Sequence, residues 1–412
     1  MRFTKLLLGL GLLLLSGCIA APSGPTPTPN REQLQAQPTP VPPAYSEPFE
    51  VLSLDNLEQI GYIGQLAAPP GSGSVFAHAF SNDGTRLAGL TNNTLIVWDV
   101  LTGDMLYDFP VEGLLDVFYS PDKTDLYTLT REESLVVYDG ETGARRTALT
   151  VHPNYVGGPY DYDPDSGLLA VVSIQGDVRV WDLLERQAVA NYQADNPDIS
   201  ALAFSPDAAR LAFGDLSGTT VVWDWREDTE IATLADVDEA ATVRLALAPG
   251  GTQVAVATGE DIRLWSLLTS DIEQVLLTGR DGSADVLQYI REGDYLLNTG
   301  LAEAMNIWES ATGALAVALP ELGGEPTAVA FSVNGQVMLT SIFQGDVSLW
   351  DLSDIEGEAD NLPRATLNVG ANIIDVGWSP DGRALALFEA GGSVQVWGIP
   401  APAPPDEEPT PQ

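Results

Sequence analysis

The stretch that decides the fold runs from Phe204 to Trp225 and reads FSPDAARLAFGDLSGTTVVWDW. Its SPDA segment is typical of a tight turn, because proline presets one backbone angle and aspartate tolerates the angles that follow. The apolar run RLAFG, the polar turn LSG and the alternating run TTVVW come next, and the alternating run SALAF precedes the turn. This order predicts three antiparallel β-strands joined by short turns.

The same pattern occurs eight times along the chain. Each copy begins with an aromatic residue or leucine, passes through a turn, and reaches a second aromatic residue 18 or 19 positions later. The second aromatic residues recur at intervals of 40 to 47 positions, and such a fixed period indicates a repeat architecture. The first members are Phe80, Tyr119, Tyr162, Phe204, Leu247, Tyr289, Phe331 and Trp378, and the second members are Trp98, Tyr138, Trp181, Trp223, Trp265, Trp308, Trp350 and Trp397.

Each repeat also holds a fourth short run, such as EIATL after Trp223. Four antiparallel strands in about 40 to 45 residues form one blade of a β-propeller. The sequence therefore predicts an all-β chain with a single eight-bladed β-propeller; seven blades with a divergent appendage is the alternative. Because the last copy ends at Trp397 without a fourth strand, we expect the run from Ile60 to Leu66 to complete that blade and close the ring.

The repeated pattern of FSPDG followed by VWD resembles the WD-repeat (β-transducin-like) family and covers nearly all of residues 49–399. The family often carries Gly-His before the first strand and an aspartate six residues before the tryptophan, and these build a hydrogen-bonded tetrad. This chain has neither, so we expect its blades to depend more on apolar packing. The Trp-Asp pair is literal at Trp98-Asp99, Trp181-Asp182, Trp223-Asp224 and Trp350-Asp351 and altered in the other four copies.

The N-terminal stretch MRFTKLLLGLGLLLLSGC resembles the signal segment of bacterial lipoproteins. Arg2 and Lys5 precede an apolar run that is short for a membrane span, and small residues lead directly to Cys18, the single cysteine of the chain. The resemblance implies removal of residues 1–17, acylation of Cys18 with palmitate-type chains, and a lipid anchor on the extracytoplasmic side of a bacterial cell membrane. An ordinary secretory signal with a chance cysteine is the alternative.

Proline-rich segments lie on both sides of the repeats. Residues 18–48 and 400–412 hold too few apolar residues to form a core, and we predict a disordered tether and a disordered acidic tail. The repeats between them form the predicted propeller domain, residues 49–399.

The composition of the chain excludes some kinds of partner and some kinds of metal or disulfide site. The formal net charge is −40, with 18 Lys and Arg against 58 Asp and Glu. Nucleic-acid binding needs clustered cations, so we predict no nucleic-acid partner and favour a basic one. One cysteine cannot form an internal disulfide, and two histidines with it cannot build a His/Cys metal cluster.

The sequence contains no constellation typical of catalysis, so we predict that the chain is not an enzyme and binds no cofactor. The segment DYDPDSG places Asp161, Asp163 and Asp165 at alternate positions, as in a calcium loop, but it also aligns with the first turn of the repeat, which we favour. His78 lies in a strand, where we expect a buried structural role. His152 begins a loop, where we expect exposure.

Trp225 is the candidate interaction residue, since it follows the Trp-Asp pair without a counterpart in the other copies and tryptophan is favoured in interface hot spots. Packing against a neighbouring blade is its alternative role. For the whole chain we predict a lipid-anchored scaffold or recognition module for an unknown protein or cell-envelope component. The alternatives are a propeller enzyme, similar to quinoprotein dehydrogenases or hydrolases, and a lipoprotein that binds or senses a solute.

Overall fold

The fold consists of eight four-stranded antiparallel sheets in a computed structural model. The structure describes residues 49–131, 134–155, 157–235, 242, 244–258, 261–276, 284–300, 305–319, 326–342, 346–353, 355 and 363–400. Two 3-10 helices, Leu57–Gln59 and Arg291–Gly293, are the only helices in these ranges. The all-β prediction is therefore confirmed.

The first four blades follow one another along the chain, each with strands A to D from the centre outward. The first and second are β2 (Ala77–Phe80), β3 (Arg86–Leu90), β4 (Thr94–Asp99) and β5 (Met105–Pro110), then β6 (Leu114–Tyr119), β7 (Asp125–Thr130), β8 (Ser134–Asp139) and β9 (Arg145–Leu149). The third and fourth are β10 (Tyr160–Asp163), β11 (Leu168–Val172), β12 (Asp177–Asp182) and β13 (Gln187–Gln193), then β14 (Ile199–Phe204), β15 (Arg210–Asp215), β16 (Thr219–Asp224) and β17 (Thr229–Ala235).

The other four blades continue the ring. The fifth and sixth are β18 (Arg244–Leu247), β19 (Gln253–Ala257), β20 (Ile262–Ser266) and β21 (Ile272–Leu276), then β22 (Ala284–Ile290), β23 (Tyr295–Gly300), β24 (Met305–Glu309) and β25 (Leu315–Leu319). The seventh and eighth are β26 (Pro326–Phe331), β27 (Val337–Ile342), β28 (Val347–Asp351) and β29 (Ala365–Leu367), then β30 (Ile373–Trp378), β31 (Ala384–Glu389), β32 (Val394–Gly398) and β1 (Gly61–Leu66).

Strand β1 closes the ring as the fourth strand of blade 8. It pairs antiparallel with β32, with Gly61 opposite Gly398 and Leu66 opposite Val394. The preceding segment also bonds to blade 8, since the N–H of Glu50 donates to the carbonyl of Ile399 over 2.9 Å. The predicted eight blades and the predicted closing run are confirmed, and the seven-blade alternative is wrong.

The core lies between the blades. The second strands β7 and β19 are entirely buried, whereas the outer strand β5 has only exposed and half-buried residues. One apolar cluster combines residues of blades 3 and 4, among them Val180, Leu211 and Trp223. Each blade therefore needs its neighbours to bury its faces, which is why one repeat alone would not be stable.

The ring has two ends, which differ in their connections. Because the strands of a blade are antiparallel, its A–B and C–D turns lie at one end, here called the AB/CD face; in blade 4 these are residues 205–209 and 225–228. The B–C turns and the loops leading to the next blade lie at the opposite end, the BC/DA face; beside blade 4 these are residues 216–218 and 194–198. A partner that binds an end of the ring must contact one of these two faces.

Candidate interaction surfaces

The A–B turns on the AB/CD face use their polar groups internally. In blade 4 the hydroxyl of Ser205 donates to Asp207 Oδ1 over 2.6 Å and accepts the N–H of Arg210 over 2.9 Å. The bond from Ser205 holds the pKa of the Asp207 carboxyl below its ordinary value. The same serine and acidic or amide pair recurs at Ser81 and Asp83, Ser120 and Asp122, Ser332 and Asn334, and Ser379 and Asp381.

The aspartate of the Trp-Asp pair caps the C–D turn that follows it. Asp224 Oδ1 accepts the N–H groups of Arg226 and Glu227 over 3.1 and 3.0 Å, and Asp99 Oδ1 accepts those of Leu101 and Thr102. A carboxylate in this position satisfies backbone donors that the turn leaves unpaired. Both repeated motifs are thus parts of the scaffold.

The tryptophan side chains find several acceptors where the family often has its tetrad. The indole N–H of Trp98 donates to the carbonyl of Ala67 over 2.9 Å, and that of Trp181 donates to the carbonyl of Val151 over 2.7 Å. Other indoles bond within their own blade, as Trp308 does to Asn298 Oδ1 over 2.7 Å. These indoles use different kinds of acceptor from one blade to the next, so the blades do not share one repeated polar network.

Trp225 begins the C–D turn of blade 4 and is half-buried. Its indole N–H donates to the carbonyl of Ala208 over 2.8 Å, and the guanidinium of Arg226 lies 4.5 Å from the ring centroid. No other copy has an aromatic residue at this position. In five other copies the residue at this position is a buried apolar one: Val100, Leu183, Leu267, Leu352 and Ile399.

Asp161, Asp163 and Asp165, the three candidate calcium ligands, make different contacts. Asp161 Oδ2 accepts the N–H of Phe204 in the next blade over 2.7 Å, and burial raises the pKa of Asp161 to about 6. Asp163 Oδ2 accepts the N–H of Ser166 over 3.0 Å within the turn, and Asp165 is exposed. In the described part of the chain no group of three His, Cys, Asp or Glu side chains is arranged to hold a metal. The geometry is that of a first turn with a contact between blades.

The two histidines lie in different settings. His78 Nδ1 lies 3.1 Å from Asp375 Oδ2, and its ring stacks on Phe388 with centroids 4.2 Å apart, so it joins blade 1 to blade 8. The prediction of an exposed His152 is wrong, since this residue is 4% exposed. Its Nδ1 accepts the N–H of Asn154 over 3.1 Å while Nε2 lies 3.3 Å from Asp177 Oδ2. Burial lowers the pKa of His152.

Sequence reasoning missed a set of polar contacts between inner strands. Asp116 accepts the hydroxyl of Tyr160 from the next blade over 2.9 Å, in the same arrangement that joins Asp375 to His78. The hydroxyl of Thr327 donates to the carbonyl of Ile373 over 3.0 Å across another junction. The signal was present in the repeat, because Asp116 and Asp375 both stand three residues before the first aromatic member of their copy.

Arginines of the AB/CD face also join neighbouring blades. Arg86 Nη1 donates to the carbonyl of Gly140 over 2.5 Å, and Arg291 Nη1 donates to that of Ser353 over 2.8 Å. The buried carboxylate of Asp125 accepts bonds from both Arg146 and Arg186. These arginines are bonded within the ring. The net charge of −40, from 58 acidic and 18 basic residues, therefore governs the charge that a partner would meet.

The BC/DA face carries exposed apolar side chains. Ile174 and Leu216 are 59% and 57% exposed, and both stand seven residues before the tryptophan of their copy, in neighbouring blades 3 and 4. At the same position Thr91 and Thr258 are buried at 0% and 1% exposure and bond within their own turns. The repeat therefore does not require an apolar residue here.

Two predicted features fall outside these surfaces. Cys18, the signal segment 1–17 and the tether 18–48 lie outside the described residues, as does most of the tail 400–412. Neither helix in the described residues has the length and the apolar character that crossing a membrane requires.

Comparisons with known proteins agree with this geometry. The family model described as WD domain, G-beta repeat matches residues 63–99 and 186–224. Each match begins in an outer strand, β1 or β13, and ends in the third strand of the following blade. One sequence repeat therefore bridges two blades, and this offset explains why an N-terminal strand closes blade 8. These two segments thus match WD repeats, and the described residues form the eight-bladed β-propeller that the resemblance implied.

Curated relatives and solved structures are similar at low identity. Transducin beta-like protein 3 from Bos taurus is 26% identical over 60% of this chain, and Periodic tryptophan protein 2 from Arabidopsis thaliana is 24% identical over 48% of it. The alignments span 32% and 23% of those relatives' own lengths. The C-terminal WD40 domain of Sif2 superposes with a TM-score of 0.62 at 14% identity, over 84% of this chain and 99% of that domain, which establishes likeness of fold.

Proposed function

We propose that this chain is a non-catalytic protein-interaction scaffold, held at the extracytoplasmic face of a bacterial membrane by lipid chains on Cys18. Propellers of the WD-repeat family generally act as protein-interaction scaffolds. The observation that carries the proposal is the difference between the two faces. The repeated serines, aspartates and arginines of the AB/CD face are hydrogen-bonded within the ring. On the BC/DA face the side chains of Ile174 and Leu216, in neighbouring blades, are more than half exposed.

Size and charge support a protein partner. A standard interface covers about 800 Å² on each partner, and the end of an eight-bladed ring is broad enough to offer that area. With a net charge of −40 the scaffold favours a basic partner, whose association slows as salt screens the attraction.

Crosslinked recovery of the full-length protein from its envelope tests the scaffold. We expect a reproducible basic protein partner, with recovery that falls as the salt concentration rises. Stoichiometric tight calcium binding by calorimetry, or a quinone absorbance, would instead assign an enzyme. Stabilisation by a small solute without any protein partner would assign a solute-binding protein, and either result contradicts the proposal.

The anchor has a separate test. We expect a Cys18→Ala variant to leave the membrane fraction and to lose incorporation of labelled palmitate, because Cys18 is the single cysteine. A Ser23→Ala variant is the matched control, since it alters the same segment without touching the acylated residue. Full membrane retention of the Cys18→Ala variant would exclude the lipid anchor and leave the scaffold proposal standing.

A further inference from the structure

We infer that a surface of the BC/DA face over blades 3 and 4 binds a basic polypeptide segment that carries apolar side chains. This surface, here called the blade 3–4 patch, consists of residues 173–176, 194–198 and 215–218. The inference rests on the proposed scaffold function and adds the location of the site and the chemistry of its ligand. Its apolar centre is Ile174 and Leu216, with the exposed Pro197 on the loop between their turns.

The side chains of Ile174 and Leu216 lie outside the apolar core. Ile174 and Leu216 are tied down through their backbones, since their N–H groups donate to the carbonyls of Asn154 and Asp198 over 3.4 and 3.1 Å. Their side chains are more than half exposed. Scattered single exposed apolar residues are ordinary, but neighbouring ones on one rigid surface are a feature of binding sites.

The patch is held in place before any partner arrives. The N–H of Ala194 donates to the carbonyl of Gly176 over 3.1 Å, and Asn196 Nδ2 donates to Asp215 Oδ2 over 2.8 Å. Gly176 has a φ of 79°, and a Cβ there would lie 2.7 Å from the Cα of Pro197, so the loop and the turn touch closely. A surface fixed in this way loses little conformational freedom on binding.

Charge selects the ligand. Asp195 and Asp198 are exposed on the loop between the two apolar residues, and the three segments of the patch contain no Lys or Arg. The remaining carboxylate, Asp215, is 4% exposed and already accepts the bond from Asn196. A partner segment that places leucine-like side chains on Ile174 and Leu216, with Lys or Arg beside them, would match both the apolar centre and the acidic rim.

The test compares two synthetic peptides on the full-length protein by fluorescence anisotropy. Both are about 12 residues long with the same number of lysines; one carries leucines between them and the other carries serines. We expect the leucine peptide to bind about tenfold more tightly than the serine peptide. An Ile174→Ser/Leu216→Ser double variant should lose that preference, while Leu268→Ser, which alters an 83% exposed leucine on the opposite face, should keep it.

Three results would overturn the inference. These are equal binding of the two peptides, a preference that survives in the double variant, and an equal loss in the Leu268→Ser control. Phosphatidylcholine vesicles serve as a further probe, since vesicle binding that disappears in the double variant would assign the patch to a membrane instead. An envelope partner that binds the double variant normally would leave the scaffold function standing and remove only this location. Thermal unfolding of each variant shows that it is folded.

Discussion

The AB/CD and BC/DA faces of the ring differ in how regular their turns and loops are. On the AB/CD face the bonded turn of the Ser205 and Asp207 pair recurs in five of the eight blades. On the BC/DA face the connections vary, from the short turn at Leu216 to the longer connection between β9 and β10, in which His152 is buried. The repeat specifies the scaffold at one end and leaves the other end free to differ between blades. Function is therefore expected where the repeat is least regular.

We expect the largest loss of stability from a change in β1, the strand that closes the ring. Leu66 in β1 is 0% exposed, and Leu66→Asp would bury an unpaired charge in the strand that closes blade 8. We expect a loss of about 4 kcal/mol or more in the free energy of unfolding, with peptide binding lost at the same time. Denaturant and thermal unfolding measure this, and Tyr62→Ser, at a 53% exposed position of the same strand, is the control. Unchanged melting in the Leu66 variant would refute the closure.

A change confined to the AB/CD face should cost stability alone. Asp125→Ala removes the buried acceptor of Arg146 and Arg186, and we expect a loss of about 2 to 4 kcal/mol, because each of these charged hydrogen bonds is broken. Asp165→Ala on the same face removes an exposed carboxylate, for which we expect less than about 0.5 kcal/mol. Peptide affinity of the folded protein should be unchanged in both. A weaker peptide affinity in the Asp125 variant would show that the two faces are not independent.

The junction of blades 3 and 4 at Asp161 predicts that the stability of the protein depends on pH. The pKa of Asp161 is raised to about 6 in the folded state against an ordinary value near 4, so the folded state binds more protons between these values. Asp161 thus makes the protein less stable as pH rises from about 4 to 6. Asp161→Asn keeps an acceptor for the N–H of Phe204, and we expect it to add roughly 1 to 2 kcal/mol at neutral pH and little at pH 4.

Thermal unfolding at several pH values measures this difference. Asp163→Asn is the control, because the side chain of Asp163 bonds within its own turn and not across the blade junction. A variant that lost stability equally at every pH would mean that the Asp161 carboxylate is needed for its bond and is not penalised for its charge.

Much of this architecture could be predicted from the sequence, because the strands of a blade pair with strands close to them in the chain. Turn residues, alternation and the period near 42 specify strands that pair with their sequence neighbours, and the closing run was found because one copy lacked its fourth strand. The burial of His152 was not readable, since it depends on a loop folding over Asp177 in the next blade. Exposure of Ile174 was equally hidden, because an apolar residue in a turn gives no sign of which way it faces.

Trp225 gives the smallest expected effect and tests whether the AB/CD face is only structural. Leucine occupies its position in blades 3, 5 and 7, at Leu183, Leu267 and Leu352, and is buried in each. Trp225→Leu should therefore change the free energy of unfolding by less than about 1 kcal/mol, because the turn accepts either side chain. The lost bond to the carbonyl of Ala208 accounts for most of that cost.

Binding decides what Trp225 does beyond closing the turn. If the comparison of the two faces holds, Trp225→Leu leaves recovery of the envelope partner unchanged, while the Ile174→Ser/Leu216→Ser variant reduces it. Trp225→Phe is the matched control, since it keeps an aromatic ring under Arg226 without the indole N–H. Loss of the partner with Trp225→Leu but not with Trp225→Phe would place an interface on the AB/CD face. The regular end of the ring would then also carry function, through the one blade whose turn is closed by an aromatic side chain.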